Sequence, residues 1–349
     1  MSKSKVCIVT KYMYSIYTFI ECMKMSQEYL ISSIVLFSDQ IKTIHEYCSI
    51  KVFPSCEMEK CIAECDTVFI SETIYKCDDV IQRRIIQCAN KNSKTICNNT
   101  ISNKIQELDI DEQTYAYKPI EIPVFIITTM RQNIGEQKLL LELIKHINSL
   151  GENVLGISSG YSGIFFNNVY PFPINSFHNI EKGEERILYL NTYFQKTILK
   201  TNSTIMIILV NGNFCNPYLL PDFETSYNLN LIESACKVDY HINIVPLNFI
   251  SSHSLVNNNL RVNYFSKKQV DINVISNVLF DVPNEDVYQT GQDIPTVTVM
   301  PKNANHIISS LKNSSKILFG SLCDNDLLQI IIDDIINKLK RKTLDYKIL

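Results

Sequence analysis

The chain has 349 residues, with 46% hydrophobic and 20% charged side chains and a formal net charge of -3. That is enough apolar material for two α/β domains of about 100–200 residues each, and a near-neutral balance with pI about 6.1 excludes a strongly basic nucleic-acid surface. No apolar run reaches the ~18 residues of a membrane span, and the polar start MSKSK lacks a signal-peptide pattern, so a soluble cytoplasmic protein with no membrane and no nucleic-acid partner is expected.

In chain order, KVCIVT (5–10) reads as a buried strand and YSIYTFIECMKMSQEY (14–29) as a helix. SSIVLF (32–37) and SIKVF (49–53) read as strands, CEMEKCIAEC (56–65) as a helix and DTVFIS (66–71) as a strand. DDVIQRRIIQCANKN (78–92) is a helix and KTICN (94–98) a last strand. Strands alternating with helices predict a parallel sheet covered on both faces. The first strand runs into TKYMYS rather than a G-x-G-x-x-G turn, so the dinucleotide fingerprint is missing. A polar, proline-containing stretch, 105–123, reads as the linker, which divides the chain into a Rossmann-like domain (1–110) and a second α/β domain (111–349).

The second domain opens on strand 124–128, a short loop, a helix, and strand 153–158. An aromatic, proline-rich loop (159–179) and a helix (182–200) come next. STIMIILVNG (203–212), a continuous apolar strand ending in Asn-Gly, belongs at the centre of a parallel sheet, next to or near strand 124–128. A helix (227–237) and strand (241–248) continue the alternation. VDINVISNVLF (270–280) and IPTVTVM (294–300) read as strands or a helix–strand pair, and ANHIISSLKNS (304–314) as a helix. SKILFGS (315–321) leads to a terminal helix over 324–342, on which Asp333 and Asp334 are expected on a solvated face.

Strand–loop–helix–strand is how a P-loop nucleotide-binding domain begins. Such a loop needs glycines so that backbone N–H groups can wrap the phosphates, and a lysine to meet the outer charge. Here the loop reads Thr129-Met130-Arg131-Gln132-Asn133-Ile134-Gly135-Glu136. Gly135 fits the second glycine, but Glu136 follows it, and a carboxylate there repels a triphosphate. Lys138 points about 200° around the helix from the required direction. The helix start still offers N–H donors to an anion. Thr129, Arg131, Asn133, Gly135 and Glu136 are therefore the candidate ligand residues, joined by Asn211 and Gly212 at the end of the strand over 203–212. No cofactor is assigned on these residues, ATP with Mg²⁺ being the one open possibility.

Of the twelve cysteines, nine precede residue 100. None forms a C-x-x-C pair; Cys56, Cys61 and Cys65 are the one locally dense group. Buried packing in a reducing compartment, a metal site and redox sensing are the three readings, packing being preferred. The six histidines are dispersed, and no nucleophile–base motif is found.

The residues bear a family resemblance. KVCIVTKYMYS and CDTVFISE in the first domain, and TMRQNIGEQKLLLEL, GIFFNNVYPFP, EERILYLNTYF and IILVNGNF in the second, resemble the clostridial peptide maturation system proteins. These are found with radical-enzyme peptide-modification gene clusters. The family's loop lysine falls on Glu136; Pro171 is retained and Phe166 replaces a glycine; Glu185, Ile187, Asn191 and Tyr193 match its helix; and of its Ile-Pro-Gly-Gly strand end Gly212 survives. The resemblance implies a P-loop-like domain behind a Rossmann-like one, acting on a ribosomally made, modified peptide. Its partners would be the precursor peptide or peptide-maturation enzymes, with Phe165, Phe166, Tyr170, Pro171, Glu185 and Asn191 as candidate contacts. An ATP-dependent ligase or acyl-transfer enzyme of the same pathway is the alternative.

Overall fold

The computed structural model describes residues 3–11, 17–24, 26, 28–37, 45–47, 49–71, 74, 79–97, 108, 110, 115–130, 134–158, 162–173, 180–210, 223–247, 252–280, 296–300, 302–304, 306, 308, 319–321 and 326–348. The chain divides into two compact units: Met1–Glu107 with Gly160–Pro171, and Leu108–Ser159 with Phe172–Leu349.

The first unit is built on strands β1 (Ser4–Thr10), β2 (Tyr29–Leu36), β3 (His45–Tyr47), β4 (Ile50–Pro54), β5 (Thr67–Ile70) and β6 (Thr95–Cys97). They lie in the order β3-β4-β2-β1-β5-β6, all parallel except β3, which pairs antiparallel with β4. Counting only the parallel strands, the order is third, second, first, fourth, fifth, which is that of a Rossmann sheet. Its helices are α1 (Tyr17–Met23), α2 (Met58–Ala63), which follows a short 3-10 turn, and α3 (Asp79–Lys91). On one face Cys7, Val9, Val35, Met58, Ile62, Val68, Ile70, Ile85 and Ala89 form a closed apolar core. Strand β3 was not expected; three residues carrying His, Glu and Tyr give no period-two signal.

The second unit holds β7 (Val124–Thr129), α4 (Glu136–Ser149) and β8 (Val154–Ser158). The chain passes through α5 (Ser162–Phe165) and β9 (Val169–Pro171), which count with the first unit. It returns as α6 (Gly183–Thr201), β10 (Ile205–Val210), α7 (Phe223–Ala235), β11 (Tyr240–Val245), α8 (Ser252–Phe265) and β12 (Ile272–Ile275). A small antiparallel pair, β13 (Val278–Phe280) and β14 (Thr296–Thr298), precedes β15 (Phe319–Ser321) and the terminal helix α9 (Leu327–Ile348). The parallel strands of the unit run β15-β12-β11-β7-β10-β8. The expected neighbours are paired, Met206 with Val124 through Val210 with Thr128.

Strand β7 is buried along its whole length, and β10 is buried beyond its first residue. Their uninterrupted Ile, Val, Leu and Phe runs therefore take the middle of the sheet, where both faces are covered. From β7 the chain first builds one side (β8, β10) and then the other (β11, β12). The strand order thus reverses at β7, and the crevice such a reversal opens lies beyond that strand's carboxyl end.

Helix α8 lies where no helix was expected. Its sequence, SHSLVNNNLRVNYF, carries three adjacent asparagines, and its apolar residues do not all face the core. At the amino end of the sheet, Asp334 on α9 is drawn out of the expected solvated face. It accepts from the Tyr240 hydroxyl at 2.5 Å and pairs with Lys338 at 2.8 Å. Asp333 next to it is exposed and accepts from Gln329 at 2.8 Å.

Candidate functional site

The candidate site is the carboxyl end of β7 and the start of α4. Thr128 and Thr129 end the strand fully buried, and the Met130 N–H donates to the Ile244 carbonyl at 3.0 Å, so the chain leaves the sheet still tied to β11. Arg131 and Asn133 lie outside the described residues, as do Asn211 and Gly212. The chain re-enters at Ile134 and turns into α4 through Gly135, whose φ of +105° is a conformation that L side chains rarely adopt.

Glu136, the first helical residue, is 1% exposed, and its side chain turns back to accept from the Ile134 N–H at 2.9 Å (Oε2). A carboxylate here meets both a loop N–H donor and the positive end of the helix dipole. In a phosphate-binding loop those same groups are directed at the nucleotide. Here the anion is the protein's own. The next residue, Gln137, is equally buried and accepts from the Ser158 hydroxyl at 3.2 Å. A Walker loop carries a hydroxyl for Mg²⁺ at that step. The residues present therefore do not fit ATP with Mg²⁺: the lysine position holds a buried carboxylate and the metal-hydroxyl position an amide. Lys138 faces away and pairs with Glu142 at 3.7 Å.

A second polar group, absent from the sequence reading, lies beneath this edge. Thr128 Oγ1 is 2.8 Å from His241 Nε2 and 3.1 Å from Asn243 Oδ1, and Asn243 donates to Asn273 at 3.2 Å. The pairing register explains the row, since Asn243 stands beside both Thr128 and Asn273. His241 Nδ1 faces the Lys268 carbonyl at 3.0 Å. A carbonyl can only accept, so Nδ1 carries the proton and Nε2 accepts from the Thr128 hydroxyl. Burial in this dry row pushes the imidazole pKa down to about 4, against the smaller opposing effects of the Lys268 carbonyl and Asp271. The ring is neutral, and both its nitrogens are partnered. Period-two burial was the signal for it: in HINIV the polar His241 and Asn243 alternate with Ile242 and Ile244.

Of the expected partner contacts, Phe165, Tyr170, Pro171 and Asn191 are buried, while Phe166 and Glu185 are partly exposed. Phe165 is 2% exposed, with its ring centroid packed in the first unit 5.4 Å from that of Phe19, 5.2 Å from Tyr29 and 5.6 Å from Phe69. Tyr170 and Pro171 are also buried, while Phe166 is half-buried. Gly163 permits this packing, because a Cβ there would lie 2.8 Å from the Pro171 Cα. Asn191 is fully buried rather than at a surface. Its amide grips the backbone of Lys118, accepting from N–H and donating to C=O at 2.9 Å each, and reaches the Ala235 carbonyl at 2.7 Å. Glu185 keeps solvent contact and pairs with Lys182 at 2.9 Å.

Among the cysteines, Cys61 and Cys65 are buried and Cys56 is exposed. Among the described residues no group of three His, Cys, Asp or Glu side chains is arranged to hold a metal ion. The Cys7 thiol is raised by its hydrogen bond with Cys65 and by burial, and burial pushes Cys61 up to about 11.

Fold and site together define a two-unit α/β protein, a Rossmann-like sheet followed by a P-loop-NTPase-like one. No family model and no curated protein matches the sequence. Among solved structures, the chain is similar to a DUF1611 family protein from Anabaena variabilis, with a TM-score of 0.56 and 10% identity over 96% of this chain and 100% of that one. At that identity the likeness shows the fold alone. A pseudomurein peptide ligase type C from Methanothermus fervidus (TM-score 0.27, 11% identity, 78% of this chain and 44% of that one) is too distant to carry an argument. So is the signal recognition particle 54 kDa protein from Aeropyrum pernix in complex with GDP (TM-score 0.33, 10% identity, 77% and 58%). Among the described residues no helix is long and apolar enough to cross a membrane.

Proposed function

We propose that this chain is an accessory protein in the maturation of a ribosomally synthesised, modified peptide. It binds the precursor peptide or a maturation enzyme, and its P-loop-like unit serves as a scaffold without phosphate chemistry. The single observation that carries the second part is Glu136, buried and accepting from the loop N–H of Ile134. Placing a triphosphate beside it would set two anions against each other in a poorly solvated site, at a cost of order a few kcal/mol. The peptide-handling part is supported by the resemblance of the segments around Glu136, Pro171, Glu185 and Asn191 to the peptide maturation proteins.

Equilibrium dialysis of the full chain against ATP and Mg²⁺ tests the reading. The expected dissociation constant is on the order of a millimolar or weaker. Micromolar binding by the wild type, lost in Glu136→Lys, would show that the carboxylate serves a nucleotide site. The alternative, an ATP-dependent ligase or acyl-transfer enzyme of the same pathway, would then replace the accessory role.

A further inference from the structure

A connecting segment of the second unit is held through its backbone. Residues 115–121 lie outside every helix and strand, and Ala116, Tyr117, Lys118, Pro119 and Glu121 are exposed. Lys118 is nevertheless gripped on both of its main-chain groups. Asn191 on α6, fully buried, accepts from the Lys118 N–H and donates to the Lys118 carbonyl, at 2.9 Å each. One turn further along α6, Gln195 donates to the same carbonyl at 3.1 Å and to that of Pro119 at 2.9 Å. Upstream, the Tyr115 ring stands edge-on to that of Tyr189, with 5.7 Å between centroids.

In an antiparallel β ladder, a residue exchanges N–H and C=O bonds with the residue opposite it. Here a side-chain carboxamide supplies both halves of that exchange. It is fixed from behind, because its nitrogen also donates to the Ala235 carbonyl at the end of α7, at 2.7 Å. These bonds end on backbone atoms while the Lys118 side chain is exposed, so they do not read which residue stands there. At the next position Gln195 asks for a carbonyl and for no N–H, so proline fits, and proline favours an extended backbone in the residue before it.

The segment itself buries little, and such stretches open most easily. A buried carboxamide left without its partners is costly. Whatever replaces the segment must therefore bring the same pair of main-chain groups. We propose that this face of α6 is a docking site for the main chain of an extended peptide whose second gripped residue can be proline, and that residues 115–121 fill it as an internal stand-in until such a peptide displaces them. The proposal rests on the peptide-handling role above and names the site for it.

The probe is the segment itself, residues 114–122 (TYAYKPIEI), as a fluorescein-labelled, C-terminally amidated peptide. In full-length Lys118→Pro the new ring takes the place of the N–H that faces Asn191, which loosens the internal segment and leaves α6 intact. Fluorescence anisotropy should show the probe binding this variant with a dissociation constant on the order of 100 μM or tighter. Wild type should bind at least about tenfold more weakly, because its tethered segment competes at an effective concentration on the order of millimolar. A probe with Ala in place of its Lys should bind Lys118→Pro within about twofold of the original, and one N-methylated at that Lys amide at least about tenfold more weakly. Adding Gln195→Ala to Lys118→Pro should weaken the original probe about fivefold. Should Lys118→Pro unfold by circular dichroism, Tyr115→Gly loosens the segment at its other end and takes its place. No saturable binding by a folded loosened variant, equal binding of the N-methylated probe, loss of binding with the Ala probe, or wild type binding as tightly as the loosened variant would each overturn the proposal. ATP binding is read separately. Micromolar ATP binding with the probe still docking would sink the accessory role and keep this site, whereas probe failure without ATP binding would sink the site and keep the role.

Discussion

Two sheets in this chain reverse strand order at a central strand, and their carboxyl edges are finished differently. In the first unit β1 ends at Thr10, whose hydroxyl accepts from that of Ser71 beyond β5 at 3.0 Å. The sequence that follows, KYMYSI, carries no glycine, and α1 spans Tyr17–Met23. In the second unit a fourteen-residue helix still starts at the edge of β7, through a left-handed glycine, and its first residue, Glu136, accepts from the loop N–H of Ile134. Among the described residues the first edge pairs two neutral hydroxyls, and the second carries a buried charge. Doubly wound topology places a crevice at both edges; the side chains decide what that crevice can take.

The largest way to break this contrast is acid. His241 titrates in the folded protein at about 4, below the ~6.5 of an unfolded chain. Between those values the unfolded state binds more protons, so stability falls as pH is lowered through that window, and the contribution is constant above it. The loss amounts to roughly 3 kcal/mol by pH 4. Denaturant unfolding at pH 7.5 and at pH 4.5 should show the second unit losing stability, with a flatter pH profile in His241→Gln. An identical pH dependence in that variant would exclude His241 as the source.

A smaller effect comes from the charge at the second edge. Glu136→Gln keeps the shape but removes the charge-assisted hydrogen bond and dipole interaction, and should cost about 1–2 kcal/mol. Glu136→Lys should raise ATP affinity, about tenfold for each ~1.4 kcal/mol of repulsion removed. Stability unchanged in Glu136→Gln would mean that the carboxylate is not what closes the loop.

Smaller again is the neutral edge. Ser71→Ala deprives the Thr10 hydroxyl of a partner and should cost about 1 kcal/mol. ATP affinity should not change, and a change would place nucleotide at the wrong sheet. The least effect is on covalent reactivity. In native protein at pH 8, exposed Cys56 should react with a thiol reagent first, ahead of Cys61 and Cys97, which burial pushes up to about 11. Buried Cys236 should react only on unfolding. Rapid native labelling of Cys61 would contradict the packing reading of the cysteines.

The sequence by itself determined the central strands of both sheets. Runs such as VFII and IMIILV are apolar at every step, and only the middle of a parallel sheet buries both faces of such a strand. It also determined that Glu136 follows the turn glycine, hence that the loop's phosphate chemistry is altered. Tertiary structure decided where that carboxylate goes, because its bond to Ile134 depends on the turn at Gly135 and on burial under the sheet edge. It also decided the fate of Phe165 and Asn191: a ring and an amide read the same in a sequence whether they face a partner or a neighbouring helix. The Thr128–His241–Asn243–Asn273 row needed pairing register, which joins strands more than a hundred residues apart from β7 to β11. Helix α8 was hidden for the opposite reason. Its asparagines lower helix propensity and several of its apolar residues point outward, so local preference did not mark it, and it packs against α7.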